Sequence, residues 1–320
     1  MKVLFVCSGN SEFGISPIIR TQGESLRNNG AKLDYFAIKG KGLRSYLRNI
    51  PKLKRFLKLN KYDIIHAHYG FCGIVSQFAR DKEKLIVSFM GSDLLSSNNS
   101  DGTYIKLSRF YVGINKYFAR FKFNHSIIKS KIMQSEIIKG TSYSVIPNGV
   151  DFKIFYPIDQ YTSRRKLKIN KEEQIILFVS DPKRKEKNFI LAKNAVSLIN
   201  SNRVKLKVVY NIPQYQLNWY YNSANILLLT SFYEGSPNVI KEAMACNCPI
   251  VSTDVGDVKE VIGKTEGCYI TSFDPKDVAE KIKMALDFGK RTNGRNHIKH
   301  LEINNIAKKI INVYEHVLNS

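Results

Sequence analysis

The sequence predicts two doubly wound α/β domains in tandem. Short apolar runs with β-branched character recur along 320 residues, helical segments lie between them, and a junction rich in turn residues breaks the pattern near the middle. The junction is VIPNGVDFKIFYP, residues 145–157, where Pro and Asn-Gly interrupt the periodicity.

In the first half, VLFV is a buried strand and the Gly- and Ser-rich loop after it leads into a helix. Ser16 serves as its N-cap, Pro17 as its first residue, and Gly30 closes it. Further strands are expected at Asp63 to Ile65 running into His66, at Leu85 to Met90, at Ile127 and Ile128, and at Ser144 to Ile146. The second half repeats the alternation, with strands at 175–179, 206–210, 226–230 and 249–252. Helices are expected near 188–200, 215–223, 237–246 and 275–287. A last helix, roughly 301–318, has no strand after it and can pack on either domain. The predicted boundaries are 1–157, 158–300 and a terminal helix over 301–320.

With 43% hydrophobic residues the chain can build real cores. No stretch approaches the roughly 18 to 20 apolar residues of a membrane span, and MKVLFVCSGN lacks a signal-peptide layout, so a cytoplasmic location is expected. Five scattered cysteines without a CxxC pair imply neither a disulfide framework nor a zinc site. The net charge of +23 is uneven. Residues 1–157 hold 25 Lys and Arg against 10 Asp and Glu, and residues 158–320 hold 25 against 17. The first half therefore carries most of the attraction for an anionic partner.

The chemistry concentrates in SFYEGSPNVIKEAMACNCPIVSTDVGD, residues 231–257. In open α/β sheets ligands bind outside the carboxyl ends of the strands, where a helix N-terminus offers free N–H groups to phosphate. A buried strand, the loop around Glu234 and Gly235, and a helix beginning at Ser236, Pro237 and Asn238 supply that layout. Two carboxylates, Glu234 and Glu242, flank it. They are poor neighbours for phosphate but good acceptors for vicinal hydroxyls. A ligand with hydroxyls at both ends and a diphosphate between them suits the trio, which describes a nucleotide-sugar. The alternative is that both glutamates simply favour a helix N-terminus. Lys241 stands near the first turn, where a solvated surface role is equally open.

The Glu-x7-Glu spacing of EGSPNVIKE, the following CPIVSTDVGDVKEVI, the junction VIPNGVDFKIFYP and the stretch KYDIIHAHYGFCGIV together resemble glycosyltransferase family 4. This is a retaining family of GT-B fold, and the matches run in order to about residue 263. The resemblance implies two Rossmann-like doubly wound parallel-sheet domains facing across a cleft, the first on the acceptor side and the second binding the nucleotide-sugar. On matching positions Glu242 takes the ribose hydroxyls and Glu234 those of the transferred sugar. The backbone of Gly235, Ser236, Pro237 and Asn238 meets the diphosphate, which Lys187 neutralises. Its arginine partner is expected five residues earlier, at Pro182 in this chain, so Arg184 is the substitute, with a solvated KRKEK run as the alternative. Asn225 replaces a usual aspartate, a change expected to affect packing. In the first domain Gly14, in a loop that lacks the family's double glycine, is placed against the diphosphate and sugar. His68 is placed facing the transferred sugar, with His66 a structural residue. Asp93 either touches the acceptor or orders its loop.

The same resemblance implies a hexosyl or N-acetylhexosaminyl transfer from a nucleotide-diphosphate sugar, a UDP-sugar foremost, to a glycan or lipid-linked acceptor. Such transfer proceeds by front-face substitution. No DxD-like dyad stands near the site, so no metal or other cofactor is expected. Residues 39–61 contain nine Lys or Arg and no acid, with Leu43, Tyr46, Leu47, Ile50, Leu53 and Leu57 at helical spacing interrupted at Pro51. Residues 106–139 mix Lys106, Arg109, Lys116, Arg120 and Lys122 with aromatics. Either the apolar stripes pack on the sheet, or both segments meet an anionic membrane from its inner face. The charge alone also admits a nucleic-acid binder, but no such motif appears and the acidic pair would repel a phosphate backbone, so no nucleic-acid partner is expected. A GT-B epimerase or phosphorylase is the nearer rival.

Overall fold

A computed structural model describes residues 1–40, 42–95 and 106–320, the side chains of 106 and 107 excepted. Lys41 and the Lys106 side chain, part of the two basic segments, lie outside the described residues. The chain forms two compact units, Met1–Gly149 with Ile303–Ser320, and Val150–Glu302.

In the first unit the strands are β1 (Lys2–Ser8), β2 (Lys32–Ile38), β3 (Ile64–His68), β4 (Lys84–Ser88), β5 (His125–Ile128) and β6 (Tyr143–Val145). All pair in parallel, in the order β2-β1-β3-β4-β5-β6. The helices are α1 (Pro17–Asn28), α2 (Gly42–Leu47), α3 (Ile50–Leu59), α4 (Gly70–Ala79) and α5 (Lys106–Phe121). Strand β2, KLDYFAI, is additional to the strands expected from sequence, because half of its side chains are only partly buried and the alternation is weak. The basic segment 39–61 breaks before Pro51 into α2 and α3, since proline is tolerated in a first turn but not inside a helix. Its apolar stripe is used internally: Tyr46, Leu53 and Leu57 join the core beneath β1, β3 and β4. Burying a leucine this way stabilises by roughly 1.5–3 kcal/mol.

The second unit contains α6 (Gln160–Leu167), β7 (Gln174–Phe178), α7 (Phe189–Ser197), β8 (Val204–Val208), α8 (Gln214–Ser223), β9 (Ile226–Leu229), α9 (Asn238–Ala245), β10 (Ile250–Thr253), α10 (Val258–Ile262), β11 (Cys268–Thr271), α11 (Pro275–Phe288) and α12 (Gly294–His297). Its parallel sheet runs β11-β10-β9-β7-β8. Strand β11 is likewise additional to the expected set, and β8 begins two residues before the expected start at 206.

The boundary falls at Gly149 rather than at residue 157, and hydrogen bonding is the reason. The Val150 amide donates to the Leu301 carbonyl, the Tyr156 amide to Asn218, and Arg295 to the carbonyls of Phe152 and Phe155. The segment 150–157 is therefore tied into the second unit. The last helix, α13 (Ile303–Asn319), belongs to the first. It buries Ile303, Ile306, Ile310, Tyr314 and Val317, one face at 3.6-residue period, and packs on α1. Asn225 has the packing role expected of it, its Oδ1 accepting from Arg164 at 2.8 Å and from the Ile175 amide at 2.7 Å. Among the described residues no helix is long and apolar enough to cross a membrane.

Candidate functional site

Each sheet reverses its strand order once, and ligands of such sheets bind at that reversal, beyond the carboxyl ends of the strands. In the second unit the reversal lies between β7, whose partners are β8 and β9, and β9. The loops leaving these two strands carry Lys187 and Glu234. They are pinned together: the Thr230 hydroxyl donates to the carbonyls of Lys187 and Asn188, and the Phe232 amide to the Glu186 carbonyl. Lys187 Nζ then reaches Glu234 Oε1 at 2.5 Å, and Ser231 Oγ donates to the same oxygen at 2.8 Å. The lysine expected at the diphosphate and the glutamate expected at the sugar are thus partners of each other. Arg184 is not brought to this pair. Its guanidinium is mostly exposed and binds Glu186 at 2.5 Å, the solvated alternative for that run.

After Glu234 the chain turns through Gly235, Ser236 and Pro237 into α9, with Pro237 as the residue before the first helical position. The first N–H groups of a helix have no intrahelical acceptor, so this turn presents donors. The loop after β10 braces it. Gly256 has φ +59°, and a Cβ there would stand 2.9 Å from the Gly235 carbonyl oxygen and 3.0 Å from that of Glu234, so only glycine fits. The Ser236 hydroxyl donates to Asp257 Oδ2 at 2.6 Å. Lys241 is not a surface charge. It is fully buried and bonds Ser236 Oγ and Asp257.

Glu242 is 5% exposed, and its Oε2 accepts from the buried Tyr221 hydroxyl at 2.7 Å. Desolvation raises its carboxyl to about 7, against the smaller opposing effects of Tyr221 and Lys241. Its other oxygen makes no hydrogen bond among the described residues. The tyrosine lies 21 positions upstream, on α8, where no sequence pattern marks it.

In the first unit the reversal lies between β1 and β3. The loop after β1 closes with Ser11 and Gly14 exchanging backbone hydrogen bonds, and Gly14 has φ +71°, which suits glycine. Strand β3 ends at His68. His66 is held at both nitrogens, Nδ1 by Tyr314 Oη at 2.6 Å and Nε2 by Ser88 Oγ at 2.8 Å. His68 is the opposite case. It is 1% exposed, its ring lies 4.3 Å from those of Phe5 and His66, and neither nitrogen has a hydrogen-bond partner among the described residues. Burial, with the Lys129 charge adding to it, pushes both imidazoles well below their ordinary range, so both are neutral at pH 7. A buried polar ring left unpaired costs about 1–3 kcal/mol, which sets His68 apart from the fully satisfied His66.

Tyr69 follows His68 with φ +95°, a conformation that non-glycine residues rarely adopt. Asp93 holds it there. Its Oδ2 accepts from the Gly70 amide at 2.9 Å and its Oδ1 from those of Met90 and Gly91 at 2.8 and 3.0 Å. Through these three bonds the 2%-exposed carboxylate of Asp93 orders the loop. Desolvation raises it to about 6. No group of three or more His, Cys, Asp or Glu able to hold a metal occurs among the described residues. Cys7, Cys72, Cys246 and Cys248 are buried free thiols.

Comparison with known proteins agrees with this layout. The model described as Glycosyltransferase Family 4 matches residues 18–153, and that described as Glycosyl transferases group 1 matches residues 191–287. The chain belongs to glycosyltransferase family 4. The putative teichuronic acid biosynthesis glycosyltransferase TuaC of Bacillus subtilis is 26% identical over 246 residues, 69% of this chain and 60% of that protein. The D-inositol 3-phosphate glycosyltransferase of a Mycobacterium species is 24% identical, covering 75% and 62%. The chain thus spans about three fifths of the length of these relatives. Among solved structures, sucrose-phosphate synthase of Thermosynechococcus elongatus superposes with a TM-score of 0.84 at 18% identity over 100% of both chains. Anabaena HepE, in complex with UDP and glucose, gives 0.75 at 16% identity over 99% of this chain and 100% of that one. At such identities the likeness shows the fold, which is GT-B.

Proposed function

We propose that the protein is a retaining glycosyltransferase that moves a hexosyl or N-acetylhexosaminyl group from a nucleotide-diphosphate sugar, a UDP-sugar foremost, to a glycan or lipid-linked acceptor in cell-surface polysaccharide or glycolipid assembly. The observation that carries this reading is the pairing of Lys187 with Glu234 at the strand reversal, beside a helix start whose free amides are followed by Glu242. On donor binding, the diphosphate takes the Lys187 ammonium and the amides around Ser236, which frees Glu234 to accept from the hydroxyls of the sugar. The unpaired Glu242 oxygen accepts from the ribose. Cationic and backbone groups aimed at the departing diphosphate stabilise the charge that grows there, the largest kind of catalytic contribution in such sites. The unpaired nitrogens of His68 meet a hydroxyl of the transferred sugar, Gly14 lets backbone approach it, and Asp93 keeps the His68–Gly70 turn in place.

A relative named for teichuronic acid biosynthesis and a neighbour solved with UDP and glucose favour this donor and acceptor class. Thermal shift and slow donor hydrolysis across a panel of UDP-, GDP- and ADP-sugars test it. One nucleotide class giving both signals is the expected result, and no response to any of them would remove the reading. Production of a free epimer or a sugar phosphate would point instead to the epimerase or phosphorylase rival.

The reaction needs no metal in this scheme. Activity that excess chelator abolishes and magnesium restores would contradict it.

The acceptor surface is proposed to meet anionic lipid through α5. Phe110, Tyr117 and Phe121 follow one helical stripe and are each more than half exposed, and the Arg120 guanidinium lies 5.1 Å over the Phe121 ring. Flotation with vesicles should require anionic lipid and fade with salt. Binding that ignores lipid charge would overturn it.

A further inference from the structure

Lys241 stands on the fourth residue of α9, and a helical side chain leans toward the N-terminus of its helix. A cation in a first turn opposes the helix macrodipole, and a fully buried one also costs several kcal/mol of desolvation. Both costs are met at the turn expected to bind diphosphate. Lys241 Nζ bonds Ser236 Oγ and lies 3.3 Å from Asp257 Oδ2, and Ser236 Oγ donates to that same Oδ2. Asp257 belongs to the β10 loop whose Gly256 lies against the Glu234 and Gly235 carbonyls. A second anchor, Thr253 Oγ1 to the Ser231 carbonyl at 2.8 Å, ties the same loop to the start of the turn. Asp257 Oδ1 is buried without a donor among the described residues, so the ammonium and the serine hydroxyl alone compensate the carboxylate.

We propose that Lys241 and Asp257 are positioning residues for the donor diphosphate: a buried ion pair that clamps Ser236 and so aims the free amides of the turn. The proposal rests on the donor-site reading above. The pair is close to neutral as a unit, so its contribution is geometric. Without Lys241, a bare carboxylate would stand beneath the anion. Without either charge, the turn would be uncharged but no longer held.

The test compares wild type with Lys241→Met and with the double variant Lys241→Met, Asp257→Leu, measuring melting temperature and the affinities of UDP, UMP and uridine by calorimetry, with the GDP and ADP series in parallel. Replacing a whole buried ion pair by apolar groups is often neutral for stability, whereas leaving one charge unpaired is not. Lys241→Met should therefore melt lower, and the double variant should return toward wild type. Nucleoside affinity should stay unchanged while diphosphate affinity falls by roughly thirtyfold, the scale of a partly buried helix-terminus interaction. The fall should be deepest in Lys241→Met and persist in the stable double variant. A double variant that recovers diphosphate affinity together with its melting temperature would reduce the pair to a stability role and overturn the proposal. Equal weakening of nucleoside and diphosphate would overturn it too. Wild type that binds no nucleoside diphosphate would instead refute the donor-site reading, and the proposal with it.

Discussion

Glu242→Gln separates the two jobs of a buried carboxyl. The substitution keeps the volume and an acceptor for the Tyr221 hydroxyl, and removes the charge. In the unfolded chain the wild-type carboxyl titrates at 4.5, and in the folded protein burial raises it to about 7. Below pH 4.5 both states hold the proton and stability is at its full value. Between 4.5 and 7 only the folded state holds it, so stability falls as pH rises, and above 7 the loss is complete. At about 1.4 kcal/mol per pH unit the span corresponds to about 3 kcal/mol. For a domain the size of the second unit this is a Tm difference of roughly 6–12 °C. Scanning calorimetry at pH 5 and pH 8 on both proteins isolates the effect, since Asp93, raised to about 6, titrates alike in each. The wild type should lose stability over this interval that the variant keeps. Conversely, ribose hydroxyls donate more strongly to an anion, so wild-type affinity for uridine, which has no phosphate to titrate, should rise through pH 7 while that of the variant stays flat. Parallel pH dependences in the two proteins would refute the reasoning.

Lys187→Met should cut donor turnover by about 10²–10³, the usual cost of removing one charge-stabilising donor, as steady-state kinetics would show. Gly256→Ala forces a side chain into φ +59° against two carbonyl oxygens; a loss of about 1–3 kcal/mol in denaturant titration and weaker diphosphate binding are expected together. Tyr314→Phe removes one of the two bonds that hold His66 and should cost about 1 kcal/mol, seen as a lower denaturation midpoint of the first unit. Because His66 stacks on His68, kcat should fall with little change in donor KM.

Legibility from sequence followed the range of the physics. Most strands and helices were visible because burial imposes a local period, and β2 and β11 escaped because their side chains are only partly buried. The Glu-x7-Glu pair stood out because it flanks a helix start after a buried strand, a place that topology favours for ligands, and Lys187 and His68 only through the resemblance to glycosyltransferase family 4. Their states could not be read. Glu242 depends on Tyr221, His66 on Tyr314 some 248 positions away, and Lys241 on Asp257, all chosen by packing rather than spacing. Lys241 shows the limit best: the same residue type at the same helical position is a solvated charge or a buried one according to what covers it.

By itself, then, the amino-acid sequence determined two parallel-sheet domains, the turn that offers free amides, and which polar residues stand beside it. Those follow from side-chain period, glycine and proline, and chain order. Only the tertiary structure decided the protonation of Glu242, the commitment of Asp93 to three amides, the unpaired nitrogens of His68 and the return of the last helix to the first unit. Each of these depends on burial or on packing between segments distant in the chain, which exist only once the cores have closed.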